Sequence, residues 1–520
     1  MKNIRLGLIF GIIGGFFTMI FGGWGVAVLG VAMGLGLGLS LTGRLGRKEP
    51  FTLVMEALPA AVAAGVVLLI ISLLENRFIE SAIGNTPASL KLVIPANLIG
   101  VLGGIVLALV LVAFHSFSES QERIYRLILL AAIVIIFPFA DNFTGLRWTS
   151  LIIFALIYVI LAMGLNIVVG YAGLLDLGYA AFFAIGAYTT GILSSAQDNI
   201  TLNFWLVIWI AAAVAAVAGI LLGAPTLRLR GDYLAIVTLG FGEIIPVVFN
   251  NLTSVTIQEP LTCWIIPGLQ RLFGATHTTS CIVLANNVNV TNGDLGINPI
   301  GRPALPLIGT FTSSNSVPWY FLIIAIILFS IFLINRLRES RLGRAWMAIR
   351  EDELAASQMG IDPVRTKLLA FAMGATFSGF GGAFFAAYIA GIFPSAFEFS
   401  TSIIVLCAVI LGGVGNVYGV IVGGLVIELA DRLFLPALKD FLANLLNHTI
   451  LPALASNRTL HDIVAQNANP ILYRYLLFGL TLVIMMAVRP EGLMPSAQRR
   501  MELHEAEDAP NAAASASMKS

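Results

Sequence analysis

The side chains that could perform chemistry in this 520-residue sequence are few and far apart. His115, His277, His448, His461 and His504 are scattered, and none stands at metal-ligand spacing from another His or Cys. No G-x-x-x-x-G-K-S/T string occurs. The nearest match, Gly38 to Gly43, runs on into Arg44 and Leu45, so no P-loop is available to hold a nucleotide. Without a nucleophile–base pair or a metal cluster, no catalytic residue and no metal ligand is assigned, which argues against a membrane enzyme.

Polar residues and glycines gather instead in three strings. In the first, Gly164 to Tyr188, Asn166 lies inside an apolar run. Gly170, Gly173, Gly178 and Gly186 interrupt or thin the helices there, around Asp176 and Tyr179. A backbone break at membrane depth survives only inside protein or beside a water-filled path, and a carboxylate there is costly. Asn166, Gly170, Gly173, Asp176 and Tyr179 are therefore candidates for a translocation path. The plainer alternative is that the glycines let helices approach closely. The second string, Leu239 to Pro246, places Glu243 after Gly240 and Gly242, midway along an apolar run. These three join the path candidates by default, against the alternative of a structural hydrogen bond to a neighbouring span.

The third string, Arg341 to Asp362, is charged, with helical propensity from Ala345 to Met359 and a stop at Gly360 before Pro363. Glu351, Asp352 and Glu353 together cannot enter lipid. Burying the Leu354 and Met359 face needs a groove on a soluble partner, and the alternative is a solvated loop helix.

The elements that must position these strings follow from composition. Hydrophobic residues make up 58% of the chain and charged residues only 11%, against roughly 25% charged in soluble domains, and mean hydropathy is +0.93. A polytopic all-α membrane protein of about 14 spans is expected. The net charge of +1 supplies no basic field for nucleic acid. Two runs, 6–41 and 402–429, are too long for one crossing. Gly22-Gly23-Trp24-Gly25 and Gly412-Gly413-Val414-Gly415-Asn416 are expected to fold them into hairpins.

Lys and Arg mark the cytoplasmic side: Arg44 to Lys48, Arg123 and Arg126, Arg228 and Arg230, and Arg336 to Arg350. Both termini are then expected inside. The run behind Lys2 and Arg5 is too long for a signal peptide and is read as a retained span. An N-terminal extension of additional spans (1–120) precedes a transmembrane region (121–495) that contains outer loops 251–317 and 430–470 and a charged loop at 336–366. Loop 430–470 alternates apolar and polar residues, as a helix lying along the interface would. Cys263 and Cys281 fall in the first outer loop, where a disulfide between them or two unpaired thiols are both open. Cys407 is read as packing. The polar, Ala- and Ser-rich tail, 496–520, is expected to be disordered.

Taken in order, these strings resemble the permeases of branched-chain amino acid ABC importers, the LivM family. Gly164 to Gly173, Thr238 to Ile245, Thr291 to Ile297, Arg341 to Ile361, Gly412 to Gly419 and Arg489 to Leu493 carry the likeness, which spans Trp148 to Pro495. The third string is similar to the EAA-type coupling loop of such permeases. The resemblance implies an ABC importer permease-type helical bundle that forms half of the path with a second, LivH-like permease. It further implies two ABC ATPase subunits carrying ATP and Mg, an extracytoplasmic substrate-binding protein, and a place in the bacterial cytoplasmic membrane. No cofactor is implied on this chain itself. By the same resemblance the ATPase-coupling residues are Arg341, Gly343, Arg344, Arg350, Glu351, Asp352, Glu353, Ala355, Ala356 and Gly360.

Three positions depart from the family pattern. Pro246 stands where many members have Arg, and Asp176 and Tyr179 replace a common Ser and His. Branched-chain or related apolar amino acids are the expected cargo, with urea or short amides as the alternative within the family. A stand-alone secondary transporter, with Glu243 and Asp176 as ion carriers, is the alternative outside it.

Overall fold

The computed structural model describes residues 134–135, 137–139, 141, 148–195, 202–226, 232–258, 283–306, 309–436, 439, 473–488 and 492–494. The expected 6–41 hairpin, the other spans before residue 134, most of loop 430–470, Cys263, Cys281, Arg228, Arg230 and the 496–520 tail lie outside them. Contacts divide the chain into two units, Met1–Phe137 with Asp431–Arg474 and Pro138–Ala430 with Tyr475–Ser520.

Continuous apolar runs fold here as helices because a helix satisfies its own backbone groups without water. In chain order these are α1 (Trp148–Asn166), α2 (Tyr179–Ser194), α3 (Phe204–Thr226), α4 (Asp232–Asn251) and α5 (Ser316–Glu339). Then come α6 (Arg341–Glu351), α7 (Glu353–Gln358), α8 (Pro363–Ile389), α9 (Phe399–Gly412), α10 (Val417–Leu429) and α11 (Arg474–Val488). Among the described residues, six segments are long and apolar enough to cross a membrane, namely α3, α4, α5, α8, α1 with the π turn that extends it, and the 394–412 stretch that holds α9. The protein is an all-α polytopic membrane protein.

Helix α8 is the centre, and its glycines explain why. Lipid tails supply no hydrophobic drive between helices, so association depends on close backbone approach. A Cβ at Gly379 would stand 2.8 Å from Ala212 Cα and from Ala215 Cβ of α3, and one at Gly186 of α2 would stand 2.6 Å from Gly379 Cα. Gly382 meets α2 in the same way, at Phe183 and Ala187, and Gly374 packs against Val168 in the π turn and Gly164 of α1. Of the two readings left open for Gly186, close helix approach is the one seen: it is a packing surface within an unbroken α2. Aromatic rings fill the spaces where side chains are large. Trp319 of α5 lies edge-on to Phe384 and Tyr388 of α8, and Tyr188 of α2 stacks on Phe249 of α4 at 3.9 Å.

The long 402–429 run does fold back, with α9 and α10 joined at Gly413 (φ 117°) and Gly415 (φ 85°), positions that favour glycine. Helix α2 starts only at Tyr179, because Leu174–Gly178 is non-helical. The 251–317 loop also contains strands: β1 (Val255–Gln258) pairs with β2 (Val283–Val288), and β3 (Ala304–Leu305) with β4 (Gly309–Thr310), both antiparallel. The same loop is tied to the bundle by two bridges, Ile300 to Ser195 after α2 and Ile297 to Ile392 after α8. A Cβ at Gly296 would collide with the Ile392 carbonyl, so the chain passes there only as glycine.

If glycine contact sets the core, Gly186→Val should overpack α2 against α8 and cost about 1–3 kcal/mol. Gly479→Ala on α11, where a Cβ meets nothing within 4 Å, should be neutral or slightly stabilising. Thermal unfolding of the two purified variants in detergent should show a lower Tm for the first alone.

Candidate functional site

The break after α1 is the least ordinary piece of backbone in the bundle. Asn166 ends α1, a single π turn (Ile167–Tyr171) follows, and residues 172–178 run without helix into α2. Gly173 takes φ +70°. Few of the segment's peptide groups can pair as a helix would, so their partners come from elsewhere.

Asn166 is fully buried, and its side-chain oxygen accepts from the Gly415 N–H at 2.8 Å, which joins the break to the α9–α10 turn. Its amide nitrogen has no hydrogen-bond partner among the described residues. Gly170 fits between that side chain and Gly415, where any Cβ would collide. The Gly170 carbonyl accepts from Arg350 Nη1 at 2.6 Å. The Arg350 stem also lies along Gly173, where an added Cβ would stand 2.8 Å from Arg350 Cγ. A residue of the charged helix thus satisfies the broken one.

The far side of the break is secured by α4, α8 and α9. Asp176 is buried, its Oδ1 accepts from Gly178 N–H at 2.9 Å, and its Oδ2 has no partner among the described residues. Leu177 N–H donates to Thr238 Oγ1 of α4 at 3.0 Å, and Gly242 packs on Gly178. Tyr179 Oη donates to the Gly374 carbonyl of α8 at 2.8 Å, and Ala180 N–H donates to Ser402 Oγ of α9. Asn166, Gly170, Asp176, Tyr179 and Gly242 are therefore enclosed within the subunit, Gly173 is exposed and Gly240 half-buried. Glu243 is exposed.

The charged string is not one helix from Ala345 to Met359, as its propensity suggested. Asp352 is extended, and its Oδ1 accepts from Leu354 N–H and Ala355 N–H as the N-cap of a new helix, α7. The acidic residue read as part of a charge run is a capping residue. Gly343 allows the tight α5–α6 corner, since a Cβ would strike the Leu337 and Arg338 carbonyls. Trp346 is fully buried and donates from Nε1 to the Thr366 carbonyl at 2.8 Å, and the almost buried Lys367 pairs with Glu353 at 2.7 Å. The pair α6–α7 is thus fastened to α5 and α8. Gly343, Ala356 and the Arg350 head turn toward the protein. Arg341, Arg344, Glu351, Asp352, Ala355 and Gly360 (φ +84°) face out. Leu354 is 66% and Met359 84% exposed.

Sequence reasoning missed the other end of this network. Leu493 N–H donates to the Leu411 carbonyl at 2.8 Å, Met494 N–H to Gly412, and Asn416 Nδ2 to the Met494 carbonyl at 2.9 Å. Residues 492–494 are thereby laid on the α9–α10 turn. The signal available was the glycine in each string, Gly413 against Gly492, where a Cβ on Gly492 would stand 2.6 Å from Gly413 Cα.

A polytopic bundle with a broken span strapped to an exposed, charged helix pair is organised as a membrane permease. The family model for the branched-chain amino acid transport system / permease component matches residues 147–486. The chain is 36% identical over 386 residues to the high-affinity branched-chain amino acid transport system permease protein LivM of Escherichia coli K12, covering 74% of this chain and 78% of that one. It is 33% identical over 406 residues to the Salmonella typhimurium LivM protein, with the same coverage. It is 23% identical over 291 residues to Escherichia coli K12 LivH, covering 53% of this chain and 81% of that one. No solved structure matches. The chain belongs to the LivM family of branched-chain amino acid ABC transporter permeases.

Removing the Arg350 head should release the break without unfolding α2. A charge-assisted hydrogen bond to a buried carbonyl is worth about 1.5–3 kcal/mol. In Arg350→Ala, amide exchange at Ala172 and Leu174, which bond the Ile167 and Val168 carbonyls, should therefore accelerate at least about tenfold. Mass-resolved hydrogen exchange should show this with the α2 amides unchanged.

Proposed function

We propose that this chain forms half of an ATP-driven import path for branched-chain or related apolar amino acids and is moved by a separate ATPase through α6–α7. A LivH-like permease would complete the path, and two ABC ATPases, carrying ATP and Mg, would dock on the basic end. A binding protein would deliver cargo at the opposite end, where loop 290–301 is bridged to the bundle. The membrane would be the bacterial cytoplasmic membrane, with Arg336 to Arg350 on the cytoplasmic side.

The observation that supports coupling is the Arg350–Gly170 bond, which joins the exposed charged pair directly to the broken span. Leu354 and Met359 offer an apolar face that a soluble partner's groove would cover. Around it lie Glu351, Asp352, Arg341 and Arg344, with Ala355 small enough for close approach and Gly360 letting the chain turn away. ATP-driven closure would press this pair, and the break would follow because the two are bonded. The permease itself supplies no chemical step. Its contribution is different contacts in two states, which any switch requires. A stand-alone carrier has no need of such a face.

Leu354→Asp and Glu351→Lys should each lower ATP-driven leucine uptake by reconstituted complex at least about tenfold. Both positions are exposed, so the Tm of the purified permease should barely move. Unchanged uptake in both variants, or uptake persisting with an inactive ATPase, would contradict the reading.

A further inference from the structure

Among the described residues, α4 is the span whose polar mid-point turns away from the bundle. Only 22% of its apolar window is buried, against 72% for α8. Its attached side is Leu234, Ala235, Thr238 and Gly242, fixed on residues 177–178 through Thr238 and Gly242 and by the Tyr188–Phe249 stack near its C-terminal end. The other side carries Ile236, Glu243, Ile244, Val247 and Val248, all exposed. Glu243 is the twelfth residue of a 20-residue helix, so it stands roughly 15 Å from either end, near mid-membrane. A carboxylate at that depth does not face lipid. Glu243, Ile244, Val247, Val248 and Asn251 line a shallow, open groove of about 400 Å³, and all five come from this one helix.

We infer that this groove is one wall of the cargo site within the translocation path, with Glu243 receiving the α-ammonium of an amino acid and Ile244, Val247 and Val248 receiving its aliphatic side chain. Charge complementarity and the apolar flank commit it to a zwitterionic amino acid with a hydrocarbon side chain. Urea or a short amide carries no cation for Glu243 and no chain for the valines. The groove is open because its second wall belongs to the partner permease. The rigid attachment of α4 on its far side keeps the carboxylate aimed outward. This inference rests on the proposed amino acid import.

The test uses the assembled complex in proteoliposomes with its binding protein. Glu243→Gln keeps the shape and removes the charge. Leucine uptake should fall at least tenfold while ATP hydrolysis stimulated by loaded binding protein continues, and Glu243→Asp should recover part of the uptake. In parallel, the wild-type complex turning over a diazirine analogue of leucine is illuminated and the labelled peptides are mapped. Labelling within 240–251 is expected. Labelling confined to other helices overturns the inference, as does full-rate uptake by Glu243→Gln, which would leave Glu243 a salt-bridge partner of the second permease at most. If Glu243→Gln fails to assemble, the labelling of wild-type complex decides. If the wild-type complex does not accumulate leucine at all, the proposed function falls rather than this site alone.

Discussion

A peptide carbonyl without water must still find a donor, and that rule governs the segment on which the bundle turns. When α1 ends at Asn166 the chain cannot drop into lipid-facing coil, because each unpaired group there costs several kcal/mol. The Gly170 carbonyl is met by Arg350, 180 residues later in the chain. The solution to a local backbone problem therefore comes from the charged helix pair. The hydrogen bond that completes the backbone is also the one that would carry the proposed coupling. Asn166 extends the same logic to the α9–α10 turn, and Asn416 extends it to residues 492–494.

Around that seam, the bundle separates what is held from what is open. Helix α8 places Gly374, Gly379 and Gly382 where the end of α1, α3 and α2 press closest on it, so at these points the helices meet backbone to backbone. Such contacts leave little room for side-chain rearrangement, and the group behaves as a scaffold. Helix α4 is attached by a narrow strip and presents its remaining surface outward. The charged pair is fixed on its inner face by Trp346 and Lys367 and is apolar on its outer face at Leu354 and Met359. A rigid body with two unfilled surfaces, one mid-span and one at the basic end, is the form expected of a subunit built to work between partners.

How much of this was legible depended on the range of the interaction. Apolar run length located the spans, and Gly412–Asn416 located the α9–α10 turn, because both are local properties. Asn166 within an apolar run marked the break for the same reason. Arg350 could not be read, since a basic residue in a basic string looks solvated and a backbone carbonyl has no sequence signature. The role of Asp352 was legible and passed over: an aspartate before a short helical stretch is a cap signal, masked here by two flanking glutamates. Tyr179 and Asp176 were placed on the path by composition, yet Tyr179 is tied inward to Gly374 and Asp176 to Gly178. Their burial is set by helices far away in the chain. The strands of the 251–317 loop carry too short a pattern to register against so apolar a background.

If the Arg350–Gly170 bond carries the proposed coupling, the charged pair and the broken span move as one. Structures of the assembled complex, nucleotide-free and with ATP trapped, would measure the Arg350 Nη1–Gly170 O separation in both states. A retained hydrogen bond is expected, with residues 167–178 displaced together with α6. A displaced α6 that leaves residues 167–178 behind, with the bond broken, would contradict it.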